Sequence, residues 1–124
     1  MPDLIAHQHQ VEHNQAVITF LKQAGTDHLD WIVTIMFYTA MHLVDQVLYK
    51  RHQLNPRNHH QRHAAIANDA ALALVYADYR ELEHQSRQSR YECVLFSESE
   101  VDRLAARLVR VEQTVSATIH SDAS

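Results

Sequence analysis

The chain has 124 residues, 46% of them apolar, and a net charge of −4 when its eleven histidines are neutral. That length suits one domain with a single core, and a negative charge excludes nonspecific coating of nucleic acid through a global positive field. One glycine and two prolines leave few helix breakers and rule out Gly-rich phosphate loops, so an all-α fold is the economical reading.

Segment 3–24 is the first expected helix: Leu4, Val11, Val17, Ile18, Phe20 and Leu21 return to one side at helical spacing, until Ala24-Gly25-Thr26 ends it. The second, 28–52, carries DWIVTIMFYTAMHLVDQVLY, apolar on nearly every side, and therefore sits centrally or lends a face to a partner chain. Its length suits a membrane span, but His42 and Asp45 lie inside it and Asp27, His28 and Asp30 stand just before, which favours a buried bundle helix. Asn55-Pro56 closes it. The third, 58–90, starts at a capping pair, Asn58 and Gln61, with a break expected near 68–72. The fourth, 97–119, repeats the capping signal in Ser97-Glu98-Ser99-Glu100 and has a seam of Val101, Leu104, Leu108, Val111 and Val115, with His120 to Ser124 frayed. Short connections between these segments predict an antiparallel bundle of four to five helices.

Cys93 is the lone cysteine, which excludes an internal disulfide and a cysteine-rich zinc site. MPDLIAHQHQ lacks the basic start and apolar run of a signal peptide, so a cytoplasmic location is the default.

Four constellations carry candidate chemistry. In NPRNHHQRH, residues 55–63, Arg57 and His63 flank the start of a helix, with Asn58 next to the arginine. Such a pair suits metal-free RNA cleavage: the histidine moves a proton at the ribose 2′-hydroxyl or the leaving oxygen, and the arginine holds the phosphate. A solvated helix cap in a His-rich chain is the plainer alternative. A second reading takes His59 and His63, and His9 and His13, as i, i+4 pairs that together could hold zinc. Third, Tyr38, His42 and Asp45 share one stripe of the apolar helix, which suits a core histidine held by Asp45 or the lining of a pocket. Fourth, Arg87 and Arg90 in SRQSRYE lie on one face, placed to clamp a phosphate, or to answer the helix dipole and pair with Glu83. Arginine outnumbers lysine nine to two, which fits such clamps.

HNQAVITFL, the aromatic-rich second segment, the His-x-x-Arg of His59 and Arg62, and YRELEHQSRQSRY together resemble the HEPN superfamily of small helical bundles, from about His9 to Val115. The resemblance implies a homodimer and, in many members, a metal-independent ribonuclease of toxin–antitoxin or defence systems with an Arg-x(4–6)-His motif, which Arg57 and His63 satisfy in spacing. That motif commonly lies around the start of the last helix, whereas here it opens the third. On this reading Arg57 holds phosphate, His63 is the acid or base, and Asn58, His59, Arg62, Arg87 and Arg90 bind substrate RNA or nucleotide, with no metal or cofactor. Two further hypotheses stand beside it: a noncatalytic dimeric module for a protein partner such as a cognate toxin or nucleotidyltransferase, and a zinc-dependent helical-bundle enzyme.

Overall fold

The computed structural model describes residues 2–25, 27–92 and 94–123, with side chains as far as 121. Thr26, Cys93 and Ser124, on which parts of the sequence reading fall, lie outside the described residues. The chain forms a helical bundle of α1 (Leu4–Gln23), α2 (Leu29–His52), α3 (His59–Asn68), α4 (Tyr76–Tyr91) and α5 (Glu98–Ala123), with a 3₁₀ turn at Leu72–Val75; no strand occurs among the described residues.

Helix α2 is the axis. α1, α4 and α5 all pack against it, and Val33, Phe37, Ala40, Val44, Val47 and Leu48 along its length are completely buried. In its most apolar window 72% of residues are buried inside the bundle, so the all-round apolarity is consumed by contacts within the chain. Trp31, at its start, is the exception at 59% exposed. The seam expected on the last helix is the one observed, with Val101, Leu104, Leu108, Val111 and Val115 all buried. Two arginines of α5 pin it to α4: Arg107 and Arg110 both donate to Asp78, at 3.1 and 2.8 Å.

Caps set most helix starts. Asp3 accepts from Ala6 N–H at 2.9 Å to open α1, and Asn58 accepts from Gln61 N–H at 2.8 Å to open α3. Before α5, Ser97 and Glu100 exchange hydrogen bonds: Glu100 N–H donates to Ser97 Oγ, and Ser97 N–H to Glu100 Oε1. Helix α2 ends at His52, ahead of Asn55-Pro56, where Gln53 turns left-handed at φ 52° and its N–H returns to the Tyr49 carbonyl. At the other end of the chain α5 continues to Ala123, past the fraying expected from His120.

Two expectations for α1 are corrected. Its buried stripe is His7, Val11, Asn14 and Ile18, so a histidine and an asparagine face the core, whereas Phe20 points outward at 68% exposure. Strict apolar counting misses a stripe that is half polar.

The break between 68 and 72 has a chemical cause. Asp69 is buried, accepts from Ala71 N–H at 2.9 Å and Leu72 N–H at 3.0 Å, and receives His52 and Arg51 from the end of α2. Burial by itself would raise the Asp69 carboxyl; the bonds from Leu72, His52 and Ala71 and the charge of Arg51 outweigh it and hold the group below its ordinary value. Asp69→Ala should therefore cost about 2–3 kcal/mol in urea unfolding at neutral pH, since it orphans two backbone donors and two side chains. Because the folded pKa is depressed, this stabilisation is present above the unfolded value near about 4 and is lost as pH falls through the folded value. The stability gap between the parent and Asp69→Asn should accordingly be flat near neutrality and close below about pH 4.

Candidate functional site

The stretch 55–63 spans the α2–α3 connection and the first turn of α3. Residues of α3 divide by helical periodicity: Gln61, Ala64, Ala65 and Asn68 line an open surface groove together with Arg57, while Arg62 and Ile66 are buried and His63 faces α4. Arg57, in the connection ahead of α3, thus opens on the groove, whereas His63 faces α4, so within one chain the two point to different sides of α3. Asn58 is occupied as the helix cap.

Arg62 was expected to position substrate; it is instead 7% exposed and committed to Asp45 of α2. Its Nε donates to Asp45 Oδ1 at 2.9 Å and its Nη2 to Oδ2 at 3.1 Å, a bidentate pair. Burial disfavours the charged guanidinium, but the bond and charge of Asp45 more than offset it, so the Arg62 pKa is raised. The pair leaves Arg62 no role on the surface.

His63 Nε2 lies 2.9 and 3.1 Å from the two oxygens of Glu83 on α4. Its other nitrogen is buried with no partner among the described residues, as are the hydroxyls of Tyr79 and Ser86, one turn to either side of Glu83 on α4. Burial raises the Tyr79 phenol, against the pull of the nearby Arg62. His59 approaches the same carboxylate from the rim: Nδ1 is 3.6 Å from Glu83 Oε2, and its side chain is 54% exposed against 20% for His63. The ring of His59 also lies against Phe37, at 5.9 Å between centroids. Further along the same face of α4, Arg90 donates to the Tyr38 hydroxyl at 2.7 Å and lies over the Tyr38 and Tyr91 rings, and Arg87 is exposed. Of the two alternatives for these arginines, pairing with Glu83 is not seen among the described residues; the contacts of that carboxylate are with His63 and His59.

His42 is a half-buried core histidine, but it makes no hydrogen bond to Asp45, whose two oxygens each accept one from Arg62. His42 Nδ1 meets His7 Nδ1 of α1 at 3.0 Å instead. Burial, then His7, lowers the His42 pKa, with Asp45 opposing and Arg62 adding. His7 Nε2 in turn reaches Asn55 Oδ1 at 3.0 Å, and Asn55 Nδ2 donates to the Pro2 carbonyl at 2.9 Å. The alternative in which two histidine pairs share a zinc ion finds no common site among the described residues: His59 and His63 flank Glu83, and His9 and His13 are exposed on α1.

Sequence reasoning missed His7, Asn55 and Glu83 as site members. His7 had a signal, its four-residue spacing from Val11 on the inward stripe; Glu83 had none, because its partners lie twenty residues or more away. Compared with known proteins, the chain matches no family model, no curated protein and no solved structure.

Arg62→Ala strands a buried carboxylate and should lower stability by about 3–5 kcal/mol, whereas Asp45→Leu/Arg62→Met, which removes both charges, should cost much less or nothing. Chemical denaturation of the two variants checks this; equal losses would mean that the pair is not the buried ion pair described.

Proposed function

We propose that the chain is a dimeric, antiparallel HEPN-like bundle that binds RNA or a nucleotide phosphate and cleaves RNA without metal, with His59 in place of His63 as the proton-transfer group. The observation that carries this reading is the His59–Glu83–His63 cluster. Glu83 is fixed by His63 and presents its second contact to an imidazole that solvent can reach. With Nδ1 3.6 Å from the Glu83 carboxylate, the half-exposed His59 ring keeps Nε2 to exchange a proton with substrate. His63 lacks that freedom, since one nitrogen is bonded to Glu83 and the other is buried.

In the reaction, His59 Nε2 removes the ribose 2′-hydroxyl proton and the 2′-oxygen attacks the adjacent phosphorus. The bond to the 5′-oxygen breaks with the proton delivered to that oxygen, leaving a cyclic phosphate and a 5′-hydroxyl. Arg87 and Arg90, one and two turns along α4 from Glu83, balance the charge that builds on the phosphate. A focused cationic strip of this kind fits a chain whose net charge is negative. A cytoplasmic setting fits the same reading.

A second reading, a noncatalytic module for a protein partner such as a toxin or nucleotidyltransferase, is favoured by one feature. Leu95, Tyr91 and Trp31 are 92, 70 and 59% exposed, and the α4–α5 loop bearing Leu95 shares a groove with Asp30, the neighbour of Trp31. Apolar surface of this kind marks contacts between proteins.

Incubating tag-free protein with a mixed RNA pool in EDTA separates the readings. The parent should cleave, His59→Ala should lose roughly 10²-fold or more of the rate, and Arg87→Ala/Arg90→Ala should bind more weakly with a flatter salt dependence. Full activity in His59→Ala but none in Arg57→Ala/His63→Ala would return the chemistry to the Arg57–His63 pair. No cleavage and no RNA binding by the parent would leave the interaction module.

A further inference from the structure

We propose that His7, His42 and Asp45 form a binding site for a divalent transition-metal ion of the zinc type, stapling α1 to α2. The site is distinct from the His59–Glu83–His63 cluster and does not depend on its reading. One ligand atom from each of the three residues lies within 4.8 Å of the other two, and His7 and Asp45 are each 3% exposed.

The hydrogen bonds around the site prepare it for a cation. Asn55 is oriented by donating through Nδ2 to the Pro2 carbonyl, so the atom it turns to His7 Nε2 is an acceptor oxygen. His7 therefore carries its proton on Nε2 and aims a lone pair from Nδ1 at His42. This is the outer-shell arrangement that metal-bound imidazoles use, one nitrogen on the ion and the other donating to an oxygen. The Nδ1 atoms of His7 and His42 are 3.0 Å apart. Two imidazole nitrogens on one ion at about 2.0–2.1 Å are separated by roughly 2.9–3.4 Å, so the pair stands at ligand spacing. Without an ion, the same approach requires His42 to donate its Nδ1 proton to His7.

Asp45 completes the set. Its two oxygens accept from Arg62, but each retains a further lone pair, and a carboxylate held by an arginine is a ligand with its own outer shell. Two neutral imidazoles and one carboxylate, with no thiolate, suit zinc, cobalt or nickel and leave a fourth position for water or another ligand. Asn55 is a positioning residue here: it lies in the α2–α3 connection, so ion binding also ties that connection to the chain start.

The test uses tag-free protein stripped with EDTA and dialysed, titrated with Co²⁺ followed by visible absorption and with Zn²⁺ followed by calorimetry. The parent should take up one equivalent saturably and melt at a higher temperature with Zn²⁺. His42→Gln should lose both effects, and Asn55→Ala should bind roughly 10–100-fold more weakly. His9→Gln/His13→Gln, which changes only exposed histidines, should behave as the parent. Absence of saturable uptake by the parent, or unchanged uptake in a folded His42→Gln, overturns the site. Should His42→Gln fail to fold, the imidazole NMR signals of the parent decide: those of His7 and His42 should shift first at substoichiometric Zn²⁺, and other histidines shifting ahead of them overturn the site.

Discussion

The bundle depends on how it accommodates one carboxylate, Asp45, in the middle of its most buried helix. An unpaired carboxylate there would be prohibitive, and Arg62 answers it with two hydrogen bonds. That pairing fixes which side of α3 faces the core. Once Arg62 points inward, its helical neighbours His59, His63 and Ile66 turn toward α2 and α4, and the opposite face, which shares a groove with Arg57 of the connection, turns to solvent. The separation of Arg57 from His63 follows from Asp45.

A second acidic residue controls where α4 can begin. Asp69 satisfies the backbone donors of Ala71 and Leu72 and collects His52 and Arg51, so α3 stops and the chain turns through Leu72–Val75 before Tyr76 starts α4. This reorientation brings Tyr79, Glu83 and Ser86 against α3 and α2. Had the third segment run unbroken, Glu83 would lie roughly 30 Å along the axis from His63, at about 1.5 Å per residue over twenty residues. The His59–Glu83–His63 cluster exists because of the break. Asp45 and Asp69 thus act together, one setting the roll of α3 and the other its length.

The histidines sort by the same logic. Those on the outer faces, such as His9, His13 and His60, are exposed, while His7 and His42 are drawn into contact where α1 crosses α2. Asn55 closes that contact from the α2–α3 connection, so a loop residue of NPRNHHQRH supports a core pair rather than a surface site. Polar groups carried inward on both helices leave this end of the bundle held by directed bonds, while the seam of α5 is held by apolar packing.

Local chemistry was legible in the sequence wherever the cause lay within a few residues. The all-helical class followed from the near absence of breakers, the caps at Asn58 and Ser97 from spacing of three, and the seam of α5 from periodicity, while the break was placed near 68–72 without its cause, the Asp69 carboxylate. The Arg57–His63 motif was legible as spacing but not as geometry, because spacing does not say which way a helix rolls. The partners of Asp45, Glu83 and His7 lie seventeen, twenty and thirty-five residues away. Only the packing of α1, α3 and α4 around α2 chose them, since a buried charge or imidazole takes whichever complementary group the fold delivers.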